Sequence, residues 1–501
     1  MTDRRPGARL WTGLVIGGLC AAGLAWLVKN KNLTLKKQTR PHNLPPGQPI
    51  TNHLASGNRH GISNWGNYPK IAARMYYFEE VDKLKDLLNT LDVIIPRGNG
   101  RCYGDSALSP NIISSLRYNK FLSFDREGGM IRCQSGVTFE ELLDVIVPQG
   151  WFLPVTPGTK FITVGGAIAS DVHGKNQHKE GTFCDHVMSL ELMLGDGSVV
   201  TCSRQENEEL FQMTRGGMGL TGIILNATFR LKPIETAYIR QETIRAENLD
   251  HLMDLFEESE EWTYSVAWID CLVKGKHLGR GILMRGEHAT LEDLDKDEQW
   301  RDPLRLKPNF KPNVPFNFPG FALNSFTIGT FNTLYFHKHP ARPVKSIIPY
   351  EPFFYPLDFV HNWNRIYGKR GFTQYQFVLP KKDSREGMHQ ILGKIAAGGM
   401  GSFLAVLKLF GKQEGYIPFA MEGYNLALDF PIKDNLFEFL DELDQLVLAY
   451  GGRLYLTKDV RMNEEMFMKS YPNGKIFMKK VRALHRDLKF RSLQSDRVGI
   501  T

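Results

Sequence analysis

The stretch that decides the fold is "IIPRGNGRCYGDS", residues 94–106. It runs from apolar residues into Gly98, Gly100 and Gly104, with arginines, a tyrosine and an aspartate between them. Glycine-rich loops of this kind commonly hold phosphate, because backbone N–H groups can approach an anion where side chains are small. The glycine spacing is neither that of a Walker loop nor that of the dinucleotide fingerprint. The sequence therefore predicts a phosphate-binding loop of another type.

A second glycine-rich segment, "TPGTKFITVGGAIASDVHGKN" at residues 156–176, has the same character. Gly165 and Gly166 present no side chain, and His173 and Lys175 follow as possible donors. Two such loops in one domain suit a long dinucleotide, with one loop on the pyrophosphate and the other on the pyrophosphate and the ring system. The alternative is that the glycines only mark turns.

A third glycine motif, "GMGLTG" at residues 217–222, matches G-x-G-x-x-G. A dinucleotide site of that type needs a strand before the motif and a helix after it. Here residues 206–215 have a helical pattern and residues 223–231 are rich in strand formers, so the order is reversed. We therefore expect a tight turn at this motif, with backbone close to a ligand.

The flanking patterns predict a fold of the α+β class. Residues 79–92 have helical apolar spacing, and residues 93–95 have the pattern of a short buried strand. Thr138 and Glu141 form a capping-box pattern at the start of another helix, and Asp196–Gly197 indicates a hairpin. Short strands interleave with few helices and form no regular βαβ series, which favours α+β.

Residues 237–452 form a second region that is rich in aromatic side chains. Within it, residues 286–320 are charged and proline-rich without a clean period. This pattern predicts a long surface loop, which is a candidate lid.

The composition excludes some classes of protein. The 501 residues carry a formal charge of +8, with 42% hydrophobic and 23% charged residues, which is typical of a packed globular protein. The basic residues are spread widely, so nucleic acid is not expected as a partner. The six cysteines form no CxxC and no zinc-type spacing with histidine, so we expect reduced thiols and no metal.

Residues 10–28, "LWTGLVIGGLCAAGLAWLV", contain no charge and are long enough to span a bilayer as one helix. Arginines precede this segment, and a larger basic cluster at residues 29–40 follows it. The positive-inside rule therefore predicts one N-terminal membrane anchor, with the bulk of the chain in the cytoplasm. A cleaved signal peptide is the alternative.

Several motifs together resemble one family. "PRGNGRCYGDS", "PGTKFITVGGAIASDVHGKN" and "GGMGLTGII" are similar to the FAD-binding domain of the vanillyl-alcohol-oxidase-type (PCMH-type) FAD-linked oxidoreductases, and within them to the decaprenylphosphoryl-β-D-ribose 2-oxidase group. The similarity continues through "AWID", "YPLDFVHNWNRIYG", "DFPIKD" and "GGRLYLTKDVR" and covers about residues 60–475.

The resemblance implies a division of the chain into four parts. Residues 1–50 would be the membrane anchor and linker, and residues 51–236 a two-part FAD-binding domain. Residues 237–452 would form an α+β substrate (cap) domain, and residues 453–501 would return to the FAD-binding domain.

The resemblance also implies FAD as the cofactor. In many relatives a histidine of the first loop bonds covalently to the flavin, but Arg101 stands at that place, so we expect non-covalent FAD. The residues implied to hold it are Pro96, Arg97, Gly98, Asn99, Gly100, Arg101, Cys102, Tyr103, Gly104, Asp105, Ser106, Gly158, Thr163, Val164, Gly165, Gly166, Ser170, Asp171, Val172, His173, Ile224 and Tyr455.

Lys458, in "YLTKD", matches the family's lysine and would polarise the substrate hydroxyl or transfer its proton. Without the resemblance, a surface lysine at a strand end is the simpler explanation.

Lys408 is a charge inside the apolar strand pattern "VLKLFG", which is uncommon unless the residue is functional or at a sheet edge. Tyr103 and Lys175 are the other candidate catalytic residues. Candidate substrate-binding residues are Trp268, which is equally well explained as a core aromatic, Gln374, Gln376 and Asn425.

The implied activity is FAD-dependent oxidation of the 2-hydroxyl of a polyprenyl-phosphate-linked pentose to a ketone, the first half of an epimerisation. A short-chain NAD(P)-dependent reductase would complete it, and a membrane quinone or oxygen would accept the electrons. The alternatives on the same fold are a sugar-alcohol or aldonolactone oxidase and a flavin-dependent reductase. A fourth alternative is a flavin-binding scaffold without turnover.

One departure from the family pattern bears on the substrate. Mycobacterial members carry cysteine within N-x-C-x-D-F, where this chain has Ala427.

Overall fold

The structure is a computed structural model that describes residues 60–295, 298–306, 311–485 and 487–501. These residues belong to one compact unit, Asn58–Thr501. The predicted membrane anchor at residues 10–28 lies outside the described residues. Within the described ranges, no helix combines the length and the apolar character that a bilayer crossing requires.

Strands and helices alternate irregularly along the described residues. The strands are β1 (His60–Ile62), β2 (Ile71–Tyr77), β3 (Ile95–Arg97), β4 (Asn111–Ser114), β5 (Phe121–Asp125), β6 (Met130–Gln134), β7 (Trp151–Phe152), β8 (Val187–Met193), β9 (Val199–Ser203), β10 (Ile223–Arg230), β11 (Lys232–Pro233), β12 (Tyr238–Ala246), β13 (Tyr264–Ile269), β14 (Gly281–His288), β15 (Val344–Pro349), β16 (Phe372–Pro380), β17 (Ala405–Phe410), β18 (Gly423–Pro431) and β19 (Arg453–Leu454). The helices are α1 (Val81–Thr90), α2 (Phe139–Ile146), α3 (Val164–Ala169), α4 (Gln177–Glu180), α5 (Glu208–Thr214), α6 (Leu249–Glu257), α7 (Glu298–Arg301), α8 (Ser325–Lys338), α9 (Tyr350–Phe354), α10 (Lys381–Gly398), α11 (Leu436–Ala449), α12 (Glu464–Ser470), α13 (Gly474–Leu484) and α14 (Leu493–Arg497).

Two sheets carry the glycine-rich loops. The first has the order β1-β2-β4-β3, with β4 parallel to both β2 and β3. The second has the order β5-β6-β10-β8-β9 and is antiparallel. Helices α2 and α3 pack on it around the buried rings of Phe139, Phe183 and Phe229. The first glycine-rich loop follows β3 and the second leads into α3, so both are anchored in packed elements.

An eight-stranded sheet of order β15-β12-β14-β13-β17-β18-β16-β19 forms the largest layer. Its strands are paired antiparallel throughout. Apolar residues of α6, α10 and α11 pack on one face, against alternate strand residues such as Phe377, Leu407 and Leu426. Because side chains alternate across a strand, the residues between these apolar positions point to the opposite face. That face carries the polar residues of the candidate site.

Several sequence predictions are confirmed. The helix at residues 79–92 is α1, and the hairpin at Asp196–Gly197 joins β8 to β9. Thr138 accepts a hydrogen bond from the Glu141 N–H and completes the capping box of α2. The motif "GMGLTG" has α5 before it and β10 after it, which is the reversed order that excludes a Rossmann-type site there.

Two predictions are wrong in part. The strand predicted at residues 93–95 lies at Ile95–Arg97, because Ile94 instead forms a bridge with Phe490 near the C-terminus. The surface loop predicted at residues 286–320 contains regular elements and packed side chains among its described residues. Strand β14 continues to His288, and α7 forms within the segment. Ala289 and Leu294 are buried and pack with Tyr238 of β12, whereas Leu291, Trp300 and Phe316 are exposed.

Candidate functional site

The first glycine-rich loop leaves a row of backbone donors free. From Gly98 to Cys102, no backbone N–H group donates a hydrogen bond to another described residue, although the loop is largely covered by protein. Covered N–H groups almost always have a partner. Gly100 has a φ of 61°, and successive N–H groups around such a residue form anion-binding concavities. The loop therefore fits a large anion such as a diphosphate.

The two glycine-rich segments are in direct contact. A Cβ atom on Gly98 would lie 2.1 Å from Thr163 Oγ1, so position 98 has no room for a side chain. The Asn99 side-chain amide donates to the Phe161 carbonyl at 2.8 Å. Thr163 caps α3 by accepting the Gly166 N–H at 3.2 Å. Both predicted segments thus face one shared site, as a dinucleotide requires.

The second segment turns from α3 toward the eight-stranded sheet. The Tyr455 hydroxyl donates to the Ser170 carbonyl at 2.7 Å, and the rings of His173 and Tyr455 are 5.1 Å apart. Ile224 is buried on β10, and Gly158 faces open space. The structure therefore places Ser170, His173 and Tyr455 next to the polar face of the large sheet.

The predicted substrate residues share that polar face. Gln374 on β16 is opposite Asp429 on β18, and Lys408 on β17 is opposite Asn425 on β18. Side-chain alternation then places every second residue of these strands on the same side. The residues on this face are Trp268, Gln374, Gln376, Lys408, Asn425, Ala427 and Asp429.

Two neighbouring aromatics have different surroundings. The Trp268 indole donates to the Phe403 carbonyl at 3.1 Å and packs on Tyr335 with ring centroids 4.7 Å apart. Tyr375 points to the opposite face, where its hydroxyl donates to Asp444 at 2.9 Å. Tyr375 is therefore a core residue, whereas Trp268 lies at the edge of the polar face.

Lys458 lies in the turn after β19, beside the first glycine-rich loop. Its Nζ is 3.8 Å from the centroid of the Tyr103 ring, and the Tyr103 N–H donates to the Thr457 carbonyl at 3.0 Å. Burial lowers the pKa of Lys458, and the charge of Asp429 opposes part of that change. Burial in turn raises the pKa of Asp429. The amine is therefore closer to neutrality at physiological pH than an exposed lysine, which favours proton transfer.

The other two predicted lysines form a chain of electrostatic contacts, in which Lys408 acts on Lys458 and also on Lys175. Burial lowers the pKa of Lys408 to about 8. Burial, with the charge of Lys408, lowers the pKa of Lys175 to about 7, and the Lys175 amine also donates to the Phe353 carbonyl at 2.5 Å. All three lysines keep partial solvent exposure. A group of amines that solvent can reach attracts an anion.

His173 is neutral in this environment. Burial, followed by the charges of Lys408 and Lys458, lowers the pKa of His173 well below its usual value. Its Nε2 lies 3.1 Å from the Gln376 amide nitrogen, so it accepts that hydrogen bond. The same amide lies 3.2 Å from Asn425 Oδ1. These hydrogen bonds fix the orientation of the Gln376 and Asn425 side chains on the polar face.

Three charged residues of the predicted cofactor set have their side chains engaged within the protein. Asp105 forms an ion pair with Arg497 at 2.7 Å, and the Asp171 carboxylate accepts from a glutamine amide at 2.6 Å. The Arg101 guanidinium lies 4.1 Å above the Trp65 ring. Any contact of Asp105 or Asp171 with a cofactor would therefore be made mainly by their backbone atoms.

Sequence reasoning missed Asp429. It accepts hydrogen bonds from the Gln374 amide at 2.7 Å and the Tyr367 hydroxyl at 3.3 Å, and its charge acts on Lys458. A signal was present in "GYNLALDF", because an acid inside an apolar strand is as unusual as the charge that marked Lys408.

Sequence reasoning also missed Arg497. From α14 it joins Asp105 at 2.7 Å to Asp459 at 3.0 Å, and so ties the first loop to the turn of Lys458. No local pattern could have found it, because it lies 392 residues after Asp105.

Comparisons with known proteins agree with this geometry. The FAD binding domain family matches residues 75–203. The chain is 39% identical over 385 residues to decaprenylphosphoryl-beta-D-ribose oxidase of Mycolicibacterium smegmatis, which covers 76% of this chain and 83% of that protein. It is 27% identical over 215 residues to L-gulonolactone oxidase of Mus musculus, covering 40% of this chain and 48% of that enzyme. It is 32% identical over 125 residues to Delta(24)-sterol reductase of Homo sapiens, covering 25% and 24%.

The two glycine-rich segments, residues 94–106 and 156–176, are called the cradles from here on. Together with the mixed helix and strand content and these matches, they define an FAD-dependent oxidoreductase with a PCMH-type FAD-binding domain. Within that class, the chain belongs to the decaprenylphosphoryl-β-D-ribose oxidase family.

The residues of the two cradles fit FAD. The free N–H groups from Gly98 to Cys102 suit its diphosphate, and Tyr455 with His173 offers flat rings at the border between the cradles and the polar sheet face. The redox chemistry at this site, uptake of a hydride, would come from bound FAD. The protein must then orient the substrate and manage its hydroxyl proton.

We expect Asp429→Asn to shift the pH dependence of flavin reduction toward lower pH. The Asp429 carboxylate raises the pKa of Lys458, so its loss lets that pKa fall further. If neutral Lys458 receives the proton, the rate rises with pH through the pKa of Lys458, and this limb moves down in the variant. Stopped-flow reduction across pH 5–10 measures it. Asp434→Asn, at an exposed carboxylate nearby, should leave the profile in place; a shift of similar size there would remove the special role of Asp429.

Proposed function

We propose that this protein uses FAD to oxidise the 2-hydroxyl of a polyprenyl-phosphate-linked pentose to a ketone. The observation that carries the proposal is the polar sheet face, where Gln374, Gln376 and Asn425 lie among three amines at the border of the FAD cradles. A sugar phosphate needs both kinds of group, hydrogen-bonding amides for its hydroxyls and cations for its phosphate. The relative from Mycolicibacterium smegmatis is named for such a substrate.

Lys458 is the residue that we assign to the substrate hydroxyl. Its lowered pKa allows the amine to take up the hydroxyl proton as a hydride leaves the carbon that bears this hydroxyl. The Tyr103 ring beneath the amine favours a cation there once the proton has arrived. The carboxylate of Asp429, on β18, favours the same protonated amine because its charge raises the pKa of Lys458. The three side chains together stabilise the protonated state that oxidation creates.

Lys408 and Lys175 are assigned to the phosphate. Each has a pKa lowered by burial, and an arriving phosphate would restore their charge, because an anion favours the protonated amine. Ala427, opposite Gln376, occupies the place of the cysteine in mycobacterial members. Alanine has no thiol chemistry, so oxidation of the sugar in this chain has to proceed without a thiol at that position.

The proposal extends to the architecture and the cellular setting. The FAD-binding domain would be of the two-part vanillyl-alcohol-oxidase type, with residues 237–452 as the substrate domain. Residues 10–28 would anchor the chain in the membrane with its catalytic part in the cytoplasm, next to a lipid-linked substrate. A short-chain NAD(P)-dependent reductase would reduce the ketone to the epimer, and a membrane quinone or oxygen would reoxidise the flavin.

Anaerobic titration of the purified holoprotein tests the assignment. Polyprenyl-phosphoribose added in detergent should bleach the flavin absorption band. The loss of absorbance should match the amount of enzyme present. Bleaching by a free aldonolactone but not by the lipid-linked sugar would make the protein a lactone oxidase. Bleaching only by NADPH would make it a reductase, and no bleaching by any of these donors would indicate a flavin-binding scaffold.

A further inference from the structure

An apolar and basic segment lies between β14 and β16. Residues 303–350 contain seven phenylalanines and six lysines or arginines, but no aspartate or glutamate. The chain as a whole has 54 acidic residues among 501, so a stretch of this length without any is unusual. The absence of acids leaves the segment cationic, and its phenylalanines make it apolar as well.

Helix α8, within this segment, is apolar on both sides. Its inner side packs on the polar sheet face, where Tyr335 lies 4.7 Å from Trp268. Its outer side leaves Phe326 81% and Leu334 62% exposed, and Phe321 in the preceding turn is 79% exposed. Soluble proteins rarely leave several large apolar side chains exposed together unless the surface binds something.

The exposed apolar residues are held in a fixed arrangement. Asn324 caps α8 by accepting hydrogen bonds from the N–H groups of Phe326 and Thr327, and its side-chain amide donates to the Phe321 carbonyl at 3.0 Å. The turn that carries Phe321 is thereby fixed to the first turn of the helix. The apolar rings therefore form part of the folded surface.

Exposed cations follow at the other end of α8. Lys338 ends the helix, and Arg342 and Lys345 lie in the next seven residues, all three exposed. Apolar side chains beside cations are the pattern of a surface that binds anionic bilayers, because the rings enter the acyl boundary while the cations face the phosphates. This charge complementarity favours a lipid surface over a second protein as the occupant.

We infer that the outer side of α8 docks on an anionic lipid bilayer. This docking surface, called the α8 face, consists of Phe321, Phe326, Leu334, Lys338, Arg342 and Lys345. The inference rests on the proposed function, since a polyprenyl-linked substrate leaves its tail in that bilayer. The contact between Tyr335 and Trp268 places the inner side of the same helix at the sheet face that would bind the sugar, so a docked α8 brings that face close to the lipid surface.

Fluorescence quenching by brominated lipid tests the inference on the 501-residue chain. Phe326→Trp is placed in phosphatidylglycerol vesicles with or without brominated acyl chains, and the emission of its eight native tryptophans is subtracted using the wild type. The added tryptophan should be quenched, because such faces lie about 5–10 Å into the acyl boundary. The matched control is Leu122→Trp on β5, where the native side chain is 42% exposed, and its added emission should not be quenched.

The cations are tested in the Phe326→Trp background. Combined Lys338→Ala, Arg342→Ala and Lys345→Ala should weaken the partition of the face into anionic bilayers by about 100-fold, at about fivefold for each cation. Quenching of the parent Phe326→Trp protein should also fall when phosphatidylcholine replaces phosphatidylglycerol in the vesicles. Equal quenching in both lipids and in the cation variant would overturn the electrostatic part of the inference.

Two results would overturn docking itself. One is quenching at position 326 that does not exceed the Leu122→Trp control. The other is a blue shift of the added tryptophan without bromine quenching, which would mean that a second copy of the chain covers the face. Flavin bleaching in detergent separates this inference from the proposed function. Bleaching without quenching refutes the docking alone, and quenching without bleaching refutes the substrate assignment alone.

Discussion

Lys458→Ala is expected to keep FAD bound and to slow substrate-driven flavin reduction by at least about 100-fold, the low end of general-base contributions. The reason is the position of the amine, 3.8 Å from the Tyr103 ring centroid and within the field of Asp429. Neither the free donors of Gly98–Cys102 nor the contact between Ser170 and Tyr455 involves this side chain. Cofactor binding and turnover should therefore separate in the variant. Rapid-mixing reduction under anaerobic conditions measures the rate, and the flavin absorbance of the isolated protein measures occupancy.

The pH profile of this variant adds a readout that a structural role would not move. Burial lowers the pKa of Lys458, so the neutral amine becomes available at lower pH than in an exposed lysine, and the rate should rise with pH as the amine loses its proton. That rising limb should vanish in Lys458→Ala. Lys382→Ala, at an exposed lysine of α10, is the matched control and should behave as the wild type. Near-normal reduction by Lys458→Ala, with the limb intact, would remove the residue from the mechanism.

The sequence predicts the local parts of this site well and its long-range parts poorly. The two glycine-rich loops are visible because close backbone approach needs glycine at particular positions, and Gly98 against Thr163 is such a place. Lys408 is visible because a charge interrupts an apolar strand. The convergence of Lys408, Lys175 and Lys458 is not visible, because it depends on the register between β17 and β18 and on a turn after β19.

Helix α8 is the clearest case that periodicity could not predict. A helix is found from sequence when apolar residues repeat on one side. In α8, Phe326 and Leu334 are exposed while Ile328 and Phe336 are buried, so apolar residues occur around the whole circumference. The one-sided pattern is absent because both sides of the helix have an apolar neighbour. The inner side meets the protein, and the outer side meets lipid according to the inference above.

Gly104→Ala is expected to weaken FAD binding and to slow reduction of the remaining flavin by about 100-fold, as a displacement of about 1 Å in a catalytic group can do. A Cβ atom at position 104 would lie 1.8 Å from the carbonyl oxygen of Asp459, far inside contact distance. Asp459 cannot easily yield, because its carboxylate pairs with Arg497 at 3.0 Å and accepts the Met462 N–H at 2.8 Å. The added methyl group must therefore move either the first loop or the turn of Lys458.

Flavin content, thermal unfolding and anaerobic reduction of the same preparation distinguish these outcomes. Overpacking of this kind costs about 1–3 kcal/mol of folding free energy, so the variant should fold with a lowered Tm and be measurable after FAD is added back. Gly61→Ala is the matched control, since a Cβ atom there meets nothing within 4 Å, and it should keep cofactor, Tm and rate. If Gly104→Ala binds FAD as tightly as the wild type and is reduced as fast, then the contact between the first loop and the Lys458 turn does not set the geometry of the site. The cradle and the catalytic lysine would in that case be positioned independently of each other.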